Sequence, residues 1–408
     1  MRRRILLCGI AVCMALAFPL GTGPLYGQDE GPTFKFDGQV RFRGELDGRT
    51  AGTGADEAVL SRVRAGVNVG LVDWLAAYIQ VQDVRAWGES FNTLTDASAN
   101  NFDLHQGYVD LLSNDMYLRL GRQIYRIADE RLIGAVGWSN PGRSFDGVLG
   151  DGVFGDLKVQ AFWMNVVERD SLLVIGLNPQ LNEGLDADGW LLGGFASYPI
   201  EGGAVELTAV HDRKAITNES YTMDLRAHGK SNHLVYEGAG AYQFGYGRSA
   251  FFLNGKIGWD TGVWSLAGQL DYLSGDEEGS DWSKAFNTLY ATNHKFYGYM
   301  DYFLLLPLQT DGAGLVDAIV RGLWRLPKSW QLMLDLHYFQ TAKQRDGKRA
   351  LGFEADLVTR KPLVKYASLL AGFSVFVPQD LATDIIVAFA DGKETTYWGF
   401  VQLNVVWP

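Results

Sequence analysis

The sequence predicts an all-β protein, a transmembrane antiparallel up-and-down β-barrel of about 16 to 18 strands with the upper figure favoured. Three observations carry this expectation. Apolar and polar residues alternate over segments of roughly 10 residues, the length a tilted strand needs to cross a bilayer. The 12 Trp and 18 Tyr tend to fall at segment ends, where aromatic girdles meet the lipid–water interfaces. Connectors alternate between short and long, as they do between the two sides of an outer membrane.

The chain opens "MRRRILLCGIAVCMALAFPLGTGPLYGQ". Arg2, Arg3 and Arg4 form a basic start, residues 5–20 an apolar run, and small, turn-prone residues follow to Gly27. That layout predicts a cleaved secretory signal over residues 1–27 and a mature barrel over 28–408. The apolar run is short for a spanning helix of about 20 residues. Lipid attachment is disfavoured because Leu7 and Val12, not small residues, precede Cys8 and Cys13. Both cysteines lie in the signal, so the mature chain relies on hydrogen bonding and packing rather than disulfides. The formal net charge is −11, and loss of the signal arginines makes the mature chain more acidic. Such a balance argues against nucleic acid as a partner. No later apolar stretch is long enough for a spanning helix, so membrane entry requires a closed barrel.

The first mature strand reads "FKFDGQVRFRGELDGR", residues 34–49. Phe34, Phe36, Val40, Phe42 and Leu46 share one face, expected to meet lipid. Lys35, Asp37, Gln39, Arg41, Arg43, Glu45 and Asp47 share the other, expected to face the lumen. In "VLSRVRAGVNVGLV" the apolar set is Val59, Val63, Val67, Val69 and Leu71, opposed by Arg62, Arg64 and Asn68. If these two strands pair, Arg41, Arg43, Arg62 and Arg64 point together into the interior. Such a ladder guides an anionic solute or forms an ion-pair lattice with Lys35, Asp37, Glu45 and Asp47, and the residues do not choose between these.

Residues 121–148, "GRQIYRIADERLIGAVGWSNPGRSFDGV", do not read as plain strand. Arg122, Arg126, Arg131 and Arg143 outnumber Asp129, Glu130 and Asp146, so the segment leans positive. Folded inward it would narrow a pore, and low-dielectric walls would focus its field on anions. Arginine suits carboxylates because its planar fork binds both oxygens. The alternative is a solvated extracellular loop.

Alternation resumes in "SYTMDLRAH", which puts Tyr221, Met223 and Leu225 opposite Asp224, Arg226 and His228. "FFLNGKIGWD" and "WSLAGQLDYL" set Phe251, Leu253, Ile257, Trp259, Trp264, Leu266 and Leu270 against Asn254, Lys256, Asp260, Gln269 and Asp271. "VDAIVRGLWRL" opposes Val316, Val320 and Trp324 to Asp317, Arg321 and Arg325, and "ALGFEADLV" opposes Phe353 and Leu357 to Glu354 and Asp356. Trp74, Tyr117, Trp259, Trp264, Trp330 and Trp407 are the expected girdle residues. Short turns at residues 260–262 and 325–329 are expected on the periplasmic side. Residues 86–101 and 274–294, long and polar, are expected as extracellular loops.

Three stretches give the chain a resemblance to a known family. They are "DERLIGAVGWSNPGRSFDGV" following "LRLGRQ", "YLSGD…FNTLYATNHKFYGYMDYF", and the closing "YWGFVQLNVVW". The sequence is similar, over essentially the whole mature chain, to the alginate export family of bacterial outer-membrane β-barrels. The resemblance implies a monomeric barrel of about 18 strands whose Arg- and Lys-lined pore passes a negatively charged polyuronate. Matched positions imply Arg119, Arg122, Arg143, Asp146 and Asp271 as lumen residues, beside the ladder and Arg226, Arg321 and Arg325. Two features depart from the pattern. The chain is shorter than expected of the alginate exporter itself, and it ends "VVWP" rather than on an aromatic residue.

Enzymatic readings fare worse. The six histidines are scattered and none sits in a nucleophile motif such as G-x-S-x-G. "GDEEGSDW" gathers Asp276, Glu277, Glu278 and Asp281 but matches no EF-hand spacing, which favours a solvated acidic loop over calcium. No cofactor and no metal are expected. The sequence therefore points to a bacterial outer-membrane channel, in contact with lipid, for passive diffusion of small anions or an acidic polysaccharide such as alginate. A periplasmic partner would supply direction to export. The alternatives are a general porin and a closed structural or adhesive barrel.

Overall fold

The computed structural model describes residues 31–87, 102–167, 189–213, 219–389 and 392–408. The signal segment with Cys8 and Cys13, and most of the expected loop 86–101, lie outside the described residues. The strands are β1 Thr33–Gly48, β2 Asp56–Val72, β3 Leu75–Ala86, β4 Phe102–Ser113, β5 Met116–Gln123, β6 Phe145–Phe154, β7 Leu157–Val167, β8 Gly189–Ile200 and β9 Gly203–Arg213. They continue as β10 Glu219–Ser231, β11 Leu234–Gly245, β12 Arg248–Asp260, β13 Trp264–Leu273, β14 Leu315–Arg325, β15 Gln331–Arg345, β16 Lys348–Val364, β17 Ala367–Pro378 and β18 Thr396–Trp407. Each pairs antiparallel with its neighbours in sequence, and β1 also pairs with β18, so the 18-stranded sheet closes on itself without an edge.

Closure satisfies every strand's hydrogen-bonding groups inside the wall, the condition for a sheet to live in lipid. At the seam Gly38 stands opposite Trp407, and a Cβ on residue 38 would collide with the indole ring. Glycine here lets the last aromatic side chain lie flat across the first strand. The alternation works as expected on β1: Phe36 is 67% exposed, whereas Arg41 is 3% exposed. Phe34, Val63, Leu225, Leu253, Ile257, Leu266 and Phe353 are likewise exposed on the outer face. Trp74, Trp259, Trp264 and Trp407 stand exposed at one end of the wall. Tyr117 does not join them. It shares the face of Arg119, whose guanidinium lies 5.3 Å from its ring, and packs against the interior core.

Short connections mark the periplasmic end. In the β12–β13 turn Asp260 accepts the Gly262 amide at 2.8 Å and a charge-assisted bond from Arg325 at 2.9 Å. Gly262 has φ +87°, a conformation that suits glycine. The long connections rise from the opposite, extracellular end. Two of them, residues 124–144 and 274–314, turn back into the barrel. Residues 274–294 divide: Glu277, Glu278 and Asp281 of the acidic stretch are exposed, as a solvated loop requires, whereas Asp276, Phe286, Thr288 and His294 are buried. Between them the two segments supply Ile127, Leu132, Ile133, Phe286, Met300 and Phe303 to a core inside the barrel, closed further by Phe339, Phe376 and Phe389.

A charged side chain placed on the outer face tests the membrane reading of the wall. Leu225→Arg, at the middle of β10, should cost about 2–4 kcal/mol of folding free energy in lipid vesicles, read by urea titration.

Candidate functional site: a basic ladder under an inward segment

The β1–β2 register sets Arg41 opposite Arg62, and Gln39 opposite Arg64. Alternation then turns Arg41, Arg43, Arg62 and Arg64 to the interior. Their guanidinium groups end on the backbone of the inward segment. Arg41 donates to the carbonyls of Gly137, Trp138 and Ser139 at 3.0–3.2 Å and to the Asn140 side chain at 3.1 Å. Arg62 reaches the carbonyls of Ser139 and Asn140, both at 3.1 Å, and Arg64 that of Pro141 at 2.9 Å. Arg43 donates to the Trp138 carbonyl at 2.8 Å, lies over the Trp138 ring at 4.4 Å, and pairs with Glu45 at 2.5 Å.

The ladder is thus neither a free path nor a plain ion-pair lattice: it grips a loop. Carbonyl oxygens hydrate the guanidinium groups in place of water but do not cancel their charge. Among the described residues Arg41, Arg62 and Arg64 have no carboxylate within ion-pair distance, and Arg43 alone has one. Positive charge therefore accumulates where the segment narrows the interior, in a low-dielectric setting that magnifies it.

The segment is fixed from its other side too. Ile133 and Tyr290 form a short parallel bridge between the two inward segments. The Gly134 amide bonds the Tyr290 carbonyl and the Tyr290 amide the Leu132 carbonyl, each at 2.9 Å. Glu130 accepts from Thr292 Oγ1 at 2.7 Å, and Arg143 donates to the Tyr290 carbonyl. Arg131 reaches β13, where its guanidinium meets Asp271 at 2.7 Å, with both side chains buried. Desolvation works against the Arg131 charge, but Asp271, with Tyr297 and Asp129 behind it, outweighs burial and raises its pKa above the ordinary value. At Arg143 the balance is reversed, and burial lowers its pKa.

The stretch of wall formed by β13–β16, a few strands round from the ladder through β17 and β18, is acidic. Asp271, Asp317, Asp335, Glu354 and Asp356 are all buried on inward faces of β13–β16. Arg321 pairs with Asp335 at 2.8 Å, His337 with Asp317 at 2.9 Å, and Glu354 accepts the Met300 amide at 2.8 Å. These partners consume much of the negative charge beneath the second inward segment. Arg226 is held similarly, by Glu206 at 2.7 Å and Glu237 at 3.1 Å. Arg119 faces inward, paired with Asp110 at 2.7 Å and stacked 3.7 Å from the Tyr108 ring. Arg325 sits at the periplasmic turn on Asp260.

Arg122 and Asp146 depart from expectation. They are cross-strand partners in phase with Gly107 and Asn165, opposite to the inward residues Gln123, Phe145 and Met164. They therefore stand on the outer face, pair with one another at 3.1 Å, and are 34% and 61% exposed at the side chain. The motif that suggested them lies across the strand end, where a one-residue change of phase decides the face. Arg131 carries the reverse lesson. Its burial against Asp271 joins residues 140 positions apart, a pairing with no local signal.

The architecture defines the class: an outer-membrane β-barrel channel with a loop-narrowed interior. A family model described as Alginate export matches residues 33–384, and this chain belongs to that family. No curated protein matches the sequence. Among solved structures the chain is similar to Pseudomonas aeruginosa OccK5 (OpdH), at 11% identity and TM-score 0.61, covering 94% of this chain and 99% of that one. Acinetobacter baumannii OccAB1 gives 13% identity and TM-score 0.61 over 94% and 98% of the two chains. Pseudomonas aeruginosa OpdK, in a structure with vanillate, gives 12% identity and TM-score 0.60 over 92% and 98%. At these identities the likeness concerns the barrel fold.

Removing one partner of the buried cross-link tests what fixes the first segment. Arg131→Met leaves the Asp271 carboxylate without its cation and should cost about 3–5 kcal/mol. Protease cleavage within residues 124–144 should rise while the strands stay protected.

Proposed function

We propose that the protein is a passive channel for small anionic solutes. The observation that supports this most is the charge of Arg41, Arg62 and Arg64, unmatched by a carboxylate at ion-pair distance among the described residues, where the inward segment meets the wall. An anion entering there trades its hydration for a field already in place, and weak contacts with Arg119 and Arg321 spread along the wall let it leave again. The arginine fork favours carboxylates over simple halides. The vanillate in the OpdK structure, itself a carboxylate, fits this reading.

A second reading, export of an acidic polysaccharide, draws on the family description. Against it stands the apolar core that the two inward segments form inside the barrel. A polymer chain would have to displace Ile133, Phe286 and Met300 from that core, whereas a small solute needs only a gap beside it.

Reversal potentials in a planar bilayer under a potassium chloride gradient test the proposal. The refolded protein should prefer anions, and Arg41→Gln with Arg62→Gln and Arg64→Gln should abolish the preference. Cation preference in the unaltered protein would contradict the proposal.

A further inference from the structure

The periplasmic rim carries its charges unevenly. Its earlier turns hold acids: Asp73 between β2 and β3, Asp115 between β4 and β5, Asp156 between β6 and β7, and Glu201 between β8 and β9. The turns at residues 326–330, between β14 and β15, and 365–366, between β16 and β17, are basic instead, with Lys328 and Lys365. Lys361, near the end of β16, joins them. No Asp or Glu occurs between Asp317 and Asp335, or between Asp356 and Asp380. Of these bounding acids Asp317, Asp335 and Asp356 are buried in the interior, and Asp380 follows β17 at the extracellular end.

Lys361 faces lipid. It keeps the phase of Phe353 and Leu357, which are exposed on the outer face, and pairs in register with Leu369. Its ammonium lies 4.8 Å from the centre of the Trp330 ring. Lys365 lies at the same distance, 4.8 Å, over Tyr366, whose carbonyl accepts the Val406 amide at 2.8 Å and so ties the turn to β18. Lys328 is exposed in the neighbouring turn. The aromatic rings mark the depth of the lipid–water boundary, and a lysine on its flexible stem reaches from there to the headgroups.

The charge at this place is unspent. Elsewhere toward the periplasm cations meet acids: Lys158 meets Asp151 at 3.3 Å, and Lys230 and Arg325 share Asp260 at 3.2 and 2.9 Å. Among the described residues the ammonium groups of Lys328, Lys361 and Lys365 have neither an ion pair nor a hydrogen bond.

We propose that this stretch of rim is a binding site for the phosphodiester headgroup of an anionic phospholipid in the periplasmic leaflet. Adjacent strands lie about 4.8 Å apart, so the two basic turns stand about 10 Å from one another, a breadth that a headgroup can bridge. The phosphate supplies the counter-charge that the protein withholds, and the acyl chains run along the outer face past Leu357 and Phe353. A soluble acidic partner would meet cations that project into the periplasm. Lys361 stands instead on the lipid-facing wall against Trp330, which favours lipid. The site lies outside the barrel and is independent of the solute path.

Native mass spectrometry tests it, on the refolded full-length protein in micelles holding equal amounts of phosphatidylglycerol and phosphatidylcholine. Preferential retention of phosphatidylglycerol is expected. A lysine beside an anionic lipid surface contributes about fivefold, so Lys328→Gln, Lys361→Gln and Lys365→Gln together should reduce the preference about tenfold or more. Arginine at the same three positions should keep it. Lys158→Gln, which removes a cation beside the β6–β7 turn, should leave it unchanged. Equal retention of the two lipids, or a preference untouched by the triple Gln variant, would overturn the site. A loss in Lys158→Gln as large as in the triple variant would reduce the effect to general charge attraction and overturn it too. Capture of soluble poly-L-glutamate through the three lysines, with no lipid preference, would assign the patch to an acidic protein and overturn the lipid site.

Discussion

The interior of this barrel depends on one interaction: arginine side chains of β1 and β2 gripping the backbone carbonyls of residues 137–141. Without that grip the first inward segment would be held only through the second segment and Asp271, and the positive ladder would be an open, hydrated wall. With it, the segment is suspended across the lumen between the ladder and the acidic strands β13–β16. The second segment then packs beneath and beside it through the Ile133–Tyr290 bridge. The pore is built by converting unpaired backbone acceptors, costly to bury alone, into ligands for charge.

The same device sets the electrostatics. Carboxylates would have held the segment equally firmly but neutralised the ladder. Carbonyls hold it and leave the charge in place. On strands β13–β15 the logic is inverted, because Asp271, Asp335 and Asp317 are spent on Arg131, Arg321 and His337. An acidic chain, −11 overall, thereby keeps a basic cluster inside its wall.

Much of this was legible in the sequence, and the reason is the period of two. Phe36 against Arg41, and Val63 against Arg62, had only one arrangement that puts apolar groups in lipid, so strand phase and barrel closure followed. The inward fold of residues 121–148 was legible from its excess of arginine and its broken alternation. What failed did so where alternation stops carrying information. Within residues 274–294 the acids Glu277, Glu278 and Asp281 are exposed as their polarity suggests, but Asp276 is satisfied by the Lys284 and Glu277 amides and Phe286 fills the core. Arg122 and Asp146 lie where strand passes into loop, and their face depends on a register no single segment reveals. The Arg131–Asp271 pair and the stacking of Trp138 on His294 are tertiary events between distant parts of the chain.

A clamped segment should leave room for small anions and not for polymer. Liposome swelling with the reconstituted protein measures this directly, comparing D-glucuronate with a long oligo-uronate at equal osmolarity. Rapid swelling in the monomer and none in the oligomer is expected. Equal swelling rates in the two would contradict it.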